Sequence, residues 1–218
     1  MAEQVFLVTG FEAFGPHLVN PSEALAKTVD GRRFGACVTR SAVLPVHHAE
    51  ARARVDALID ELAPAVIVHL GLANGRARIA LERVALNVMD YPIPDNAGRR
   101  LVNEPCVPGG PSAYLSTLPL LSILAALLGE GIPAYISNTA GTFLCNQTLY
   151  GTLHSLARCP ERGGGARRIP RAGFIHLPSL PAMVAASGVD EPSMDLSVMA
   201  RALEVTLDLL AREDHGHD

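Results

Sequence analysis

Short apolar runs and longer amphipathic stretches alternate along the whole chain. Val5 to Thr9, Cys37 to Leu44, Ala65 to Leu70, Ala134 to Ile136 and Ala172 to Leu177 are too short for ordinary helices and read as buried strands. Between them, Asn20-Pro21-Ser22 has the form of a helix start, a capping side chain followed by proline in the first turn, with Gly31 as the stop. His48 to Leu62 places Ala51, Val55, Leu58, Ile59 and Leu62 on one helical face, and Pro64 ends it. Tyr114 to Leu128 is apolar enough for a largely buried helix, and Met194 to Arg212 carries the stripe Leu196, Met199, Leu203, Leu207 and Leu210. Ile79 to Val88 alternates as a strand or hairpin arm, and Pro92 to Gly110 is a loop rich in Pro, Gly and Asn. This order predicts an α/β/α sandwich around a mixed, largely parallel twisted sheet. With 218 residues, 49% of them apolar, one domain over 1–218 is expected, with 213–218 fraying.

Composition narrows the chemistry. A net charge of −4 with both signs interspersed offers no basic stripe, and aromatics make up only 5% of the chain, so nucleic acid is not an expected partner. No apolar stretch approaches a membrane span, and Met-Ala-Glu-Gln leads directly into Val5 without a basic n-region, so a soluble, cytoplasmic protein is expected. Four cysteines without framework spacing or a C-x-x-C pair argue for free thiols and against a zinc ribbon. His47-His48 and His215-x-His217 read as solvated pairs, so neither a metal nor another cofactor is expected. In a reducing compartment the Asn146-Gln147-Thr148 sequon is silent. Gly163-Gly164-Gly165 reads as a flexible surface loop.

Two glycine-rich readings fail on chemistry. Gly10 to Gly15 has Walker-type spacing, but Pro16 and His17 stand where Lys and Ser/Thr are required. No third glycine opens a helix as a dinucleotide site needs, and Phe11 and Phe14 give this strand-end turn aromatic walls.

Cys145 has a different setting. The strand ending at Ile136 turns through Ala140-Gly141-Thr142 into a helix, and with Thr142 as N-cap the thiol falls in the first turn, where the helix dipole favours thiolate. Cys37, Cys106 and Cys159 have no helix start behind them. His176 lies near the end of the strand Ala172 to Leu177, just before Pro178, and two sheet edges carrying these groups would form a Cys–His site.

Several segments together resemble the pyroglutamyl peptidase I family. They are Val8 to Gly15 with Asn20-Pro21-Ser22, Leu81 to Asn87, Ile93-Pro94-Asp95-Asn96, Ala113 to Pro119, Ser137 to Tyr150 and Gly173 to Pro178, in the family's order across residues 5–185. The resemblance implies a cytosolic, metal-independent cysteine exopeptidase with a phosphorylase-like α/β/α fold, commonly a homotetramer, that removes N-terminal pyroglutamyl groups from peptides. Matched motif by motif, it implies Cys145 as nucleophile held as a thiolate–imidazolium pair by His176, Glu82 as third member, and Phe11 and Phe14 flanking the lactam ring. Phe143, beside the nucleophile, is a candidate third wall. Without the resemblance, Glu82 reads as an exposed strand carboxylate paired with Arg78 or Arg83.

The chain departs from the family pattern at two places. Tyr91-Pro92 stands where many bacterial members have Ala-Arg, so an arginine often found near the active site is replaced by Pro92, and Leu72 stands where some have Gln. A non-catalytic binder of a lactam or amino-acid derivative on the same fold is the alternative reading. A nucleoside phosphorylase has only fold analogy behind it.

Overall fold

The computed structural model describes residues 4–15, 17–158 and 169–215. In chain order the elements are β1 (Gln4–Phe11), α1 (Pro21–Thr28), β2 (Arg33–Phe34), β3 (Cys37–Leu44), α2 (Glu50–Leu62), β4 (Val66–Leu72), β5 (Ile79–Glu82), β6 (Val84–Leu86), β7 (Ala113–Leu115), α3 (Leu120–Gly129), β8 (Ala134–Ser137), α4 (Leu144–Arg158), β9 (Arg171–Leu177), α5 (Pro181–Ser187) and α6 (Leu196–His215). Among these residues a 7-stranded sheet runs β2-β3-β1-β4-β9-β5-β8, and β6 and β7 form a separate ribbon. β1 pairs in parallel with β3 and β4, β4 with β9, and β5 with β8, whereas β5 runs antiparallel to β9 and β2 to β3. The mixed α/β architecture is the one the alternating pattern predicts.

Burial on both faces explains why the central strands read as continuous apolar runs. One face packs Phe6, Val8, Val68 and Ile175 against α1, α3 and α6. The other packs Leu7, Ile67, Ala172 and Phe174 against α2 and α4. Each large apolar side chain so enclosed contributes about 1.5–3 kcal/mol. All seven residues of β4 are buried, and His69 is its one polar side chain. Thr9 Oγ1 lies 2.7 Å from its Nδ1 and Thr152 Oγ1 lies 3.0 Å from its Nε2, so both ring nitrogens are bonded.

Local chemistry departs from the sequence expectation at four points. Tyr114 to Leu128 is not one helix: Ala113–Leu115 pairs with Val84–Leu86, and α3 begins only after Pro119, which lacks the N–H a helix interior needs. Arg83 separates two strands in the Ile79 to Val88 segment, one in each sheet. α5, opened by Pro181 and closed by Gly188 at φ 67, was too short for periodicity to reveal. α6 continues through Glu213 to His215, beyond the expected start of fraying. Cys159, the Gly163-Gly164-Gly165 segment, His217 and the end of the tail lie outside the described residues.

The turn from β1 to α1 is fixed by a cap. Ser22 N donates to Asn20 Oδ1 at 3.0 Å, Phe11 N donates to Ser22 Oγ at 2.9 Å, and Asn20 Nδ2 donates to Glu12 O at 3.0 Å. This turn carries Phe11 and Phe14, and α1 sits so close to β1 that a Cβ on Gly10 would meet Ser22 O at 2.1 Å. Gly10→Ala is therefore expected to cost at least about 1–3 kcal/mol, lowering Tm by several degrees. Gly129→Ala, whose Cβ would meet nothing within 4 Å, leaves Tm unchanged or raised. Thermal unfolding followed by circular dichroism compares the two.

Candidate active site

Three neighbouring strands present side chains to the α4 face of the sheet near their ends. Register pairs Gly71 of β4 with His176 of β9, and His176 with Ala80 of β5. Side chains alternate faces along a strand, so His176, Phe174, Ala80 and Glu82 share this face. His176 Nδ1 and Glu82 Oε1 are 2.7 Å apart, a diagonal contact across the antiparallel pair. With the carboxylate as acceptor, Nδ1 carries the proton and Nε2 is left to face the site. His176 therefore sits on an inner strand, between β4 and β5, and not at a sheet edge as the sequence pattern implied.

The thiol approaches from the opposite side. α4 begins at Leu144, and its first turn is closed by Gln147 N donating to Phe143 O at 3.1 Å, leaving the N–H groups of Leu144 and Cys145 over for other acceptors. A Cβ on Gly71 would lie 3.0 Å from Cys145 Sγ, which places the sulfur over the strand position that is the register partner of His176. Only glycine leaves room for the sulfur there. Thr142 is not the expected cap: its hydroxyl donates to Asp90 O at 2.6 Å, and Asp90 N donates to Thr142 O at 3.0 Å. Asn146, fully buried, accepts from Leu86 N at 2.8 Å and donates to Leu86 O and Val88 O, each at 2.9 Å. These bonds hold the start of α4 against the segment after β6. Asn146 thus has a structural role that the sequon reading passed over.

Glu82 is fully buried, not an exposed strand carboxylate. Its cationic partner is Arg76 in the turn before β5, with Nη1 2.9 Å from Oε1, the same oxygen that accepts from His176. Arg78 instead lies over the Tyr135 ring at 4.5 Å, and Arg83, one residue on along the chain, points away from the Glu82 face. Strand alternation disfavours Arg83 but not Arg78, whose guanidinium is placed over Tyr135 instead.

Aromatic side chains lead to this cluster from two sides. Phe11, buried in the core, lies 6.5 Å from Phe174, which lies 4.7 Å from His176 between ring centroids. Half-buried Phe14 and Phe143 are 6.0 Å apart, and Phe143 meets Tyr91 edge-on at 4.7 Å. Tyr91, buried, donates to Gln147 Oε1 on α4, while Pro92 beside it is exposed. Leu72 is buried at the end of β4.

A pyroglutamyl peptidase family model matches residues 4–213. Pyrrolidone-carboxylate peptidase from Pyrococcus furiosus is 40% identical, covering 95% of this chain and 98% of its own, and the Klebsiella pneumoniae protein of the same name is 44% identical over 95% and 92%. The chain belongs to the pyroglutamyl peptidase family. A variant of the Pyrococcus furiosus pyrrolidone carboxyl peptidase superposes with a TM-score of 0.90 at 39% identity, covering 97% of this chain and 100% of its own. Pyroglutamyl peptidase I from Bacillus amyloliquefaciens gives 0.88 at 35% identity, covering 96% and 98%.

In this member of the family, burial sets the protonation states. It pushes the Cys145 thiol up to about 12, the Glu82 charge adding to the effect, while the thiol's own backbone N–H and Arg76 oppose it. Burial also lowers His176, against the raising effect of Glu82 and with Arg76 adding to the lowering. Both effects oppose the thiolate–imidazolium form that the helix start favours.

His47 and His48 are half-buried and bonded, not solvated. His47 Nδ1 accepts from Ala49 N and Glu50 N, each at 3.2 Å, so an imidazole caps α2, and His48 Nδ1 lies 3.0 Å from Asp95 Oδ2. Ligand atoms of these three residues fall within 4.8 Å of one another. Binding a cation through the nitrogens and oxygen already engaged would undo the cap and the Asp95 bond.

His69, below the site, generates a pH prediction. Burial lowers it to about 3 from 6.5, so the unfolded chain binds one more proton between those values. The stability due to neutral His69 is complete above pH 6.5 and falls toward pH 3, by roughly 1.4 kcal/mol per pH unit. Urea unfolding across this range is expected to show a shallower acid loss in His69→Gln than in the wild type.

Proposed function

We propose that the chain is a single-domain cysteine exopeptidase that removes N-terminal pyroglutamyl groups from peptides. The observation that carries the reading is the 2.7 Å bond between His176 Nδ1 and fully buried Glu82, beside a thiol seated at a helix start over Gly71. Family membership supports the substrate class. In this reading Cys145 Sγ attacks the pyroglutamyl carbonyl while its proton passes to His176 Nε2. The carbonyl oxygen takes the developing charge and is met by the first-turn N–H groups of α4, each such donor contributing about 3 kcal/mol in other enzymes. His176 then gives the proton to the departing amine, leaving a thioester. Water, deprotonated by the same nitrogen, attacks the thioester and regenerates the thiol with release of pyroglutamate.

Phe11, Phe14 and Phe143 form the apolar walls against which the flat, uncharged ring is selected. A free N-terminal ammonium has no carboxylate partner among these walls, and its desolvation excludes ordinary peptides. The reading further includes a cytoplasmic location and a homotetramer, with no metal in the reaction. Among the described residues no helix is long and apolar enough to cross a membrane.

The decisive assay is release from a pyroglutamyl chromogenic amide. Hydrolysis is expected, insensitive to EDTA, and abolished by Cys145→Ser or by alkylation mapped to Cys145; activity persisting near the wild-type rate in Cys145→Ser overturns the mechanism. Glu82→Gln should lower kcat tenfold or more at little changed KM, equivalent to about 1.4 kcal/mol or more of transition-state stabilisation. Phe14→Ala is a cleaner pocket probe than Phe11→Ala, because deleting buried Phe11 also costs about 3–5 kcal/mol of fold stability. It is expected to reduce the preference for pyroglutamyl over prolyl substrates without altering Cys145 alkylation. Unchanged specificity would place the pocket elsewhere.

A further inference from the structure

Arg76 supplies something that the Cys145, His176 and Glu82 arrangement lacks by itself. Glu82 is fully buried, and among the described residues its Oε2 has no hydrogen-bond partner. Both answering groups converge on Oε1, His176 Nδ1 at 2.7 Å and Arg76 Nη1 at 2.9 Å. A neutral imidazole supplies one hydrogen bond and no charge. The guanidinium is thus the cation that compensates the buried negative charge, and it also fixes which oxygen His176 meets.

We infer that Arg76 is a positioning residue of the reaction: it keeps Glu82 Oε1 aimed at His176, and its charge acts on the proton exchange between Cys145 and His176. This rests on the reading of those three residues given above. Arg76 reaches the site from the turn between β4 and β5 with about a third of its side chain exposed, so it joins buried chemistry to the surface. The charged and titratable groups around it are Glu82 from β5, His176 from β9 and Cys145 from α4. A positive charge disfavours proton binding at every neighbouring group. Removing it is therefore expected to raise the proton affinities of Cys145 and His176 together.

The consequence separates this role from simple support of the fold. A neutral His176 is required as base, and its protonation sets the acid limb of the profile. Loss of the thiol proton bounds the alkaline side. Both boundaries move upward when the cation is lost, so the whole profile shifts to higher pH. A variant that merely loosened the turn would lose amplitude without moving along the pH axis. Because Arg76 acts through Glu82 as well as directly, its effect on kcat should be smaller once Glu82 is replaced by Gln.

The test uses Arg76→Gln, Arg76→Lys and the double variant Arg76→Gln/Glu82→Gln. Two readouts are followed against pH: kcat and KM on a pyroglutamyl chromogenic amide, and the rate of iodoacetamide labelling at Cys145 by peptide mapping. Arg76→Gln is expected to lower kcat tenfold or more with KM changed less than threefold and to shift both profiles to higher pH, by about half a unit or more. Arg76→Lys should recover the profile position and part of kcat, and the double variant should lose less than the product of the single losses. Unshifted profiles in a folded, active Arg76→Gln overturn the inference, as does Arg76→Lys behaving like Arg76→Gln. If Arg76→Gln does not fold, an Arg76→Lys profile displaced from the wild type by more than half a unit overturns it equally, since the charge is retained. Labelling needs no substrate, so a shifted labelling profile in a protein inactive on the amide upholds the electrostatic role and overturns the substrate reading alone.

Discussion

A carboxylate with no access to water has to be answered from within the protein, and Glu82 is answered at one oxygen by an imidazole and a guanidinium. Much of the surrounding structure serves that contact. β5 runs antiparallel to β9, which puts Glu82 and His176 two residues apart on one face and within reach diagonally. A parallel arrangement of these two strands would use a different register and slant. The turn carrying Arg76 leads directly into β5, so the cation and the anion it compensates are fixed by the same short segment. Breaking such a pair at one member leaves a buried charge, which is costlier than losing the whole arrangement.

The thiol is set by sterics in place of charge. Gly71 leaves a gap in β4 where any Cβ would press on Phe174 and on Cys145 Sγ, and the start of α4 fills it. Asn146 and Thr142 tie that helix start to the chain at Leu86 to Asp90 through backbone bonds. The position of the thiol therefore derives from the strand register, a missing side chain and buried amide bonds acting together.

This division explains what could be read from the chain and what could not. The strands at Cys37–Leu44 and Val66–Leu72 and the cap at Asn20 were legible because apolar runs and turn residues are local signals. The broken Tyr114 to Leu128 segment was not, since its apolar content fits a helix and only the Pro119 stop and pairing with β6 decide otherwise. Cys145 and His176 were picked out by local pattern, a helix start and a strand end before Pro178, and Glu82 only by family motifs. Arg76 and Gly71 carried a weak signal, an arginine and a glycine in the turn-rich Gly71-Leu72-Ala73-Asn74-Gly75-Arg76 stretch. Their meaning depends on contacts across the sheet that no sequence spacing expresses. The protonation of the thiol is legible only in part for a related reason: the helix start that favours thiolate is visible in sequence, whereas the burial that opposes it is a property of the packed site.

Burial and chemistry meet in the resting state of the Cys145 and His176 pair. In the proposed reaction, a site whose burial and Glu82 both raise the proton affinity of the thiol develops charge as a substrate carbonyl receives the attack. The charges formed in the proposed reaction are an imidazolium beside Glu82 and an oxyanion beside the N–H groups at the start of α4, each next to a fixed opposite charge or dipole. A thiolate in the resting protein would have its own backbone N–H and Arg76 to set against burial and the repulsion from Glu82. Interactions that strengthen as the reaction proceeds lower the barrier, whereas those already present in the resting state do not. The same enclosure that makes the thiol a poor acid at rest thus makes the surrounding dipoles effective at the moment of attack, and it suits a ligand that brings no charge of its own.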